Sequence, residues 1–233
     1  MADPRNHLCL ALDTPDADAA RRIAETVGDA VIWHKVGLAL AVQGGEALIR
    51  DLKAAGKRIF LDYKFYDIDQ TVANAVTGAV AMGADLLTVH AVAPVVQAAA
   101  SAKGNATTKV VGVTVLTSLD TEDLEAEGWR DGLPALVRAR ALTAIAAGAD
   151  GVVASAQEAA MLRQLLAPGT FIVTPGIRPA GGSTQDQKRV ATPTSAIRNG
   201  SDLLVVGRPI LHAKSPKDAA HAILDEIDAA FGS

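Results

Sequence analysis

Eight short apolar runs, each followed by a helix-forming stretch, are spaced along these 233 residues. They read LCLALD (8–13), VIWHKVG (31–37), RIFLDYK (58–64), LLTVHA (86–91), KVVGVTVLT (109–117), GVVAS (151–155), FIVTPG (171–176) and LLVVGRPI (203–210). Nearly continuous apolarity is the mark of strands covered on both faces. Between them, segments such as ADAARRIAETV, GEALIRDLKAAG, QTVANAVTGAVAMG and PALVRARALTAIAAG carry a helical period. Gly28, Gly56, Gly83, Gly148 and Gly200 stand where helix C-caps want glycine, and Thr14-Pro15 and Ser155 stand where helices open. Eight strand–helix units in one chain of this length predict an α/β fold, a (β/α)₈ TIM barrel forming a single domain over residues 1–233. A doubly wound open sheet is the alternative, weakened because no GxGxxG follows the first run.

Composition narrows the function classes. Aromatics are scarce at 3% and alanine is abundant, so helices are expected to pack closely through small side chains. The net charge of −4, with both signs interspersed and no basic run, argues against a nucleic-acid partner. No apolar run approaches the roughly 20 residues that cross a bilayer, and MADPRNH lacks the pattern of a signal peptide. One cysteine, Cys9, cannot build a disulfide framework; a cytoplasmic location fits, and Cys9 itself reads as a packing residue.

Barrel enzymes place their sites at the C-terminal ends of the strands. Alternation puts Cys9, Ala11 and Asp13 on one face of the first strand. It does the same for Val31, Trp33, Lys35 and Gly37 in the second, and for Phe60, Asp62 and Lys64 in the third, with Ile59, Leu61 and Tyr63 turned to the helices. Asp13, Lys35, Asp62 and Lys64 therefore end three successive strands on a common face. Opposite charges about 4 Å apart attract by about 4 kcal/mol at an effective dielectric of about 20, enough to keep such a row ionised. At the other end of the chain, TPGIRP (174–179) follows strand seven and VVGRPI (205–210) ends strand eight, the usual phosphate position in barrels. Gly176 and Gly207 allow close approach of backbone, and Arg178 and Arg208 supply forked donors.

Other candidates read as structural. The five histidines show no metal-ligand spacing; His34 faces the helices, His7, His212 and His221 read as surface residues, and His90 ends strand four with its role open. Val72, Val76, Ala79 and Val80 form the core face of a helix, and Ser118 has no partnered histidine.

Asp62-x-Lys64-x-x-Asp67-Ile68, with HKVG before it and VTVLTS (113–118), TPGIRP and VVGRPI after it, resembles the orotidine 5′-phosphate decarboxylase family from LALD (10–13) onward. The resemblance implies a carboxy-lyase of UMP biosynthesis that uses neither metal nor organic cofactor. It further implies that Lys64 is the proton donor, and that Lys35, Asp62, Lys64 and a second subunit's Asp67 form a charge network. Asp13 and Lys35 would hold the ribose hydroxyls, and Thr117 would meet the pyrimidine ring. Arg178, Gln187, Gly207 and Arg208 would belong to the phosphate side, Pro175 would be a further substrate-binding residue, and Ile68 and Thr71 would belong to a segment shared across a homodimer. Residues 177–191 would be a mobile loop gripping the phosphate. A metal-dependent sugar-phosphate lyase or aldolase on the same barrel is one alternative, disfavoured because Lys35 stands where such relatives carry an acidic metal ligand. A Schiff-base aldolase through Lys64 is disfavoured by the flanking carboxylates, which keep a lysine protonated. A non-catalytic sensor of a phosphate ligand is the alternative of a different class.

Overall fold

Each apolar run contains a strand, and in the computed structural model the strands close in chain order into one parallel barrel. They are β1 (Leu8–Ala11), β2 (Trp33–Gly37), β3 (Arg58–Phe65), β4 (Leu86–His90), β5 (Lys109–Val113), β6 (Gly151–Val153), β7 (Phe171–Thr174) and β8 (Leu203–Val206). The structure describes residues 3–179 and 191–232. Around the barrel run α1 (Ala17–Val27), α2 (Leu38–Ala41), α3 (Gly45–Ala54), α4 (Asp69–Ala81), α5 (Ala93–Lys103), α6 (Thr121–Ala126), α7 (Leu133–Ala146), α8 (Ala156–Leu165), α9 (Pro193–Arg198), α10 (Arg208–Leu211) and α11 (Pro216–Phe231).

Side-chain parity sorts two cores. Cys9, Ala11, Trp33, Phe60, Leu86, Val111, Val173, Leu203 and Val205 fill the barrel interior. Their neighbours Leu8, Leu10, Ile59, Leu61, Leu87, Val110, Val152, Ile172, Leu204 and Val206 pack outward against the helices. Each such leucine or isoleucine contributes about 1.5–3 kcal/mol by leaving water. Alanines at the contacts let the helices approach. At Gly112 on β5 an added Cβ would lie 2.7 Å from that of Ala144 on α7, so only glycine fits there. Cys9 is buried, and burial pushes its thiol pKa up, as a packing residue requires.

Most expected helix ends hold. Gly28, Gly56, Gly83, Gly148 and Gly200 all adopt positive φ, and Glu158 accepts the Ser155 amide at 3.0 Å to open α8. Three details differ from the sequence reading. The cap of α1 is Asp16, which accepts the Ala19 amide, because the Thr14 hydroxyl instead donates to the Asp16 carbonyl. Val31 precedes β2 and packs in the outer core, so the alternation of that strand begins only at Trp33. His7 is partly buried: its ring lies 4.9 Å from that of Phe231, and Nδ1 is 2.8 Å from the Asp202 carbonyl oxygen.

The N-terminal face of the barrel carries one device three times. Asp85, Asp150 and Asp202 stand just before β4, β6 and β8. Each carboxylate accepts, at 2.7 Å, an amide from the preceding strand: Ile59, Val110 and Ile172. Each also pairs with a cation on the helix that leads into that strand. The pairs are Lys53–Asp85 at 2.9 Å, Lys103–Asp150 at 2.6 Å and Arg163–Asp202 at 2.6 Å.

His34 faces the helices as its parity requires and is fully buried, and among the described residues neither ring nitrogen has a partner in good hydrogen-bonding geometry. Burial, reinforced by the Lys57 charge, lowers its pKa to about 4. The unfolded chain then takes up a proton near pH 6.5 that the folded chain refuses until about pH 4, so stability falls as pH drops through that interval. Urea unfolding of His34→Leu and parent should therefore diverge by about 3 kcal/mol between pH 7 and pH 4, the variant losing less. Equal losses would mean that His34 is not held neutral.

Candidate active site

At the C-terminal rim, register brings the ends of β1, β2 and β3 together. Ala11 pairs with Lys35, and Gly37 pairs with Asp62. Lys35 thus leaves its strand on the same face as Gly37 but two residues lower, and its long side chain reaches up to the level of Asp62. Lys35 Nζ lies 3.0 Å from Asp13 Oδ1 and 3.4 Å from Asp62 Oδ2, and Lys64 Nζ donates to Asp62 Oδ1 at 2.8 Å. Charges alternate along the row Asp13–Lys35–Asp62–Lys64. Burial deepens toward its middle, from 63% side-chain exposure at Asp13 to 9% at Lys35 and 15% at Asp62. Gly37 lies directly against the row: an added Cβ there would stand in ordinary contact with Lys35 Nζ and Asp13 Oδ1.

The row stays ionised against the cost of burial. Burial pulls the Lys35 ammonium down, but the carboxylates of Asp62 and Asp13 outweigh it and the net direction is upward. Burial likewise pushes the Asp62 carboxyl up, and the charges of Lys35 and Lys64 with hydrogen bonds from Lys64 and Thr88 reverse it, leaving it below the ordinary range. Between a lowered acid and a raised base, both groups hold their charge through the neutral range.

Lys64 is reached by an irregular path. Pairing of β3 with β4 shifts between Leu61 and Phe65, and Lys64 takes φ +48°, the only positive φ outside glycine among the described residues. A left-handed lysine costs about 1–2 kcal/mol, and such strain persists only where the surroundings enforce it.

Two cavities meet at the row. One of about 380 Å³ runs from Asp13, Lys35, Asp62 and Lys64 to Pro175, Gly176, Arg178, Gly207 and Arg208. A smaller one of about 130 Å³ shares Lys35, Asp62 and Lys64 but is walled by Phe60, Val113, Val153 and Val173, with Thr117 at its edge. Such a chamber offers arginines at one end, an apolar slot at the other and fixed charges between. It suits a ligand with an anionic tail and a flat, weakly polar head.

Most expected site residues are thus brought together: Asp13, Lys35, Asp62, Lys64, Thr117, Pro175, Arg178, Gly207 and Arg208. Asp67, Ile68 and Thr71 are not. They lie in an exposed run over residues 66–71, where Asp67 Oδ1 accepts the Ile68 amide at 2.7 Å, apart from the row of its own chain. Gln187 and most of segment 177–191 lie outside the described residues. His90 is partly buried beside Tyr66, ring centroids 5.2 Å apart, and burial, then Arg140 and Lys64, lowers its pKa. The sequence reading did not single out Leu38 or the apolar slot, nor Thr88, although alternation from the inward Leu86 put Thr88 on the site face.

Comparison with known proteins agrees with this geometry. The model of the orotidine 5′-phosphate decarboxylase / HUMPS family matches residues 6–223. The orotidine 5′-phosphate decarboxylase of Nitrobacter winogradskyi is 50% identical over 223 residues, covering 96% of this chain and 93% of that protein. One from Rhodopseudomonas palustris is 49% identical, covering 98% and 97%. The crystal structure of orotidine 5′-phosphate decarboxylase from Lactobacillus acidophilus superposes with a TM-score of 0.84 at 33% identity, covering 96% of this chain and 99% of that one. With identity of this order running the whole length of the barrel, the chain belongs to the orotidine 5′-phosphate decarboxylase / HUMPS family.

Proposed function

We propose that the protein converts orotidine 5′-phosphate to UMP and carbon dioxide, using neither metal nor organic cofactor. The observation that carries this reading is the alternating row Asp13–Lys35–Asp62–Lys64, set between an arginine-lined chamber and an apolar slot. The phosphate fits the end with Arg178 and Arg208, the ribose hydroxyls fit Asp13 and Lys35, and the pyrimidine fits the slot beside Thr117. The substrate carboxylate then faces Asp62.

In the reaction the bond between ring carbon and carboxylate breaks and its electron pair stays on the carbon. Repulsion between the carboxylate and Asp62 vanishes as carbon dioxide leaves, while the developing carbanion remains beside the Lys64 ammonium. That interaction strengthens toward the transition state and so accelerates the step. Lys64 gives a proton to the ring carbon, yielding UMP, and the amine regains its proton from water.

The active unit in this reading is a homodimer in which Asp67 completes the charge network of the partner. Exposed apolar side chains support it: Leu38, Val42, Tyr66 and Ile68 follow neighbouring strands at the site rim. Ile68 and Thr71 would then meet substrate across the interface. The cytoplasm suits a chain whose one thiol is buried and unbonded.

The family description also covers HUMPS proteins, so a metal-dependent lyase acting on a sugar phosphate is the competing reading. A divalent ion among these carboxylates would meet the Lys35 ammonium at close range. Purified protein should abolish the absorbance signal of orotidine 5′-phosphate and form equimolar UMP, unchanged by a chelator. No UMP, or UMP formation that a chelator stops, would sink the proposal.

A further inference from the structure

Thr88 on β4 is fully buried, two residues beyond the inward Leu86. Its hydroxyl has one proton and two lone pairs, and both kinds of group are engaged within the site. Oγ1 accepts the backbone amide of Lys64 at 2.9 Å and donates to Asp62 Oδ1 at 3.1 Å. The same carboxylate oxygen accepts the Lys64 ammonium at 2.8 Å. Lys64 is therefore tied at both ends, amide and ammonium, to one hydroxyl–carboxylate pair.

This matters because Lys64 sits where the regular ladder is interrupted and its left-handed conformation must be held. The β3–β4 ladder breaks between Leu61 and Phe65, and the amide freed by that break finds the Thr88 side chain. A return to the extended region would re-aim the Cα–Cβ bond of Lys64 and so move its ammonium relative to Asp62. A buried amide without a partner is costly, so the bond to Thr88 selects the left-handed state.

We propose that Thr88 is a positioning residue for the reaction: its hydroxyl locks the left-handed turn at Lys64 and orients Asp62 Oδ1, which fixes where the ammonium meets the ring carbon. The inference rests on the decarboxylase reading. Asp62 faces Lys35, Lys64 and Thr88, with Asp13 beyond Lys35, so removing the hydroxyl takes one of its stabilising donors while leaving both cations in place.

Thr88→Val keeps the shape and deletes both hydrogen bonds. It should lower kcat about 10- to 100-fold and move KM by less than about threefold, since the phosphate and ribose contacts are untouched. Thr88→Ser keeps the hydroxyl and should hold kcat within about threefold of the parent. Titration of the Asp62 carboxyl by carbon-13 NMR should show its midpoint rising in Thr88→Val and not in Thr88→Ser. Thr88→Ala replaces the valine variant if that one does not fold. A serine variant as slow as the valine variant, or both hydroxyl-free variants turning over at the parental rate, would overturn the proposal. If the parent itself makes no UMP, the decarboxylase reading fails, and the carboxyl titration alone then judges Thr88 by the same criterion.

Discussion

Lys64→Ala should fold like the parent and lose turnover by about 10⁴-fold or more, because one change removes both the proton donor and the cation beside the carbanion. Lys64 is partly exposed, with 32% of its side chain open to solvent, and its ammonium pairs with Asp62. Asp62 keeps Lys35 at 3.4 Å and the Thr88 hydroxyl, so the fold does not inherit an isolated buried charge. The loss should appear in kcat and kcat/KM together, with binding of UMP nearly unaltered, as expected for an interaction made in the transition state. Lys64→Gly should be as inactive yet about 1 kcal/mol more stable than the alanine variant, since glycine takes positive φ without strain. Single-turnover UMP formation in Lys64→Ala within a hundredfold of the parent would end the assignment of Lys64.

Asp67→Ala should also cripple the enzyme, by about 10³-fold, although in its own chain Asp67 is seen accepting the neighbouring Ile68 amide and not joined to the charge row among the described residues. The physical reason lies in the subunit arrangement proposed above: a carboxylate exposed on one chain would be buried against the partner's row. The arrangement makes an unusual demand. Lys64→Ala and Asp67→Ala, each inactive alone, should regain about a quarter of parental activity when unfolded together and reassembled, because half the dimers are mixed and each mixed dimer holds one intact site. Sedimentation would show the dimer, and activity per chain would fall on dilution below its dissociation constant. Full parental activity of Asp67→Ala, or no recovery on mixing, would remove Asp67 from the site.

Much of this was legible in the chain because the relevant signals are local. Eight apolar runs specify eight strands, and strict parity carries Asp13, Lys35 and Asp62 to one rim with no further information. Arg178 and Arg208 follow from their places after β7 and β8. What parity cannot show is where it breaks. Nothing in YKF announces a left-handed lysine, since the usual mark, glycine, is absent and the conformation depends on a threonine 24 residues away. For the same reason Thr88 looked like one more strand residue. The extra helices α2, α6 and α10 were invisible because four to six residues carry no period. Asp67 could be placed only by resemblance, as its partner groups belong to another chain in that reading.

The three aspartate clasps lie at the opposite end of the strands from the charge row, sharing no partner with it. Substitutions at sites so separated tend to add in their effects, so heat tolerance and chemistry can drift independently in this lineage. One clasp already uses arginine, whose fork reaches the carbonyls of Thr170 and Gly200 as well as Asp202. The other two still use lysine. A population moving to hotter ground would have room to adapt at Lys53 and Lys103 before any selection reached the rim where the chemistry is set.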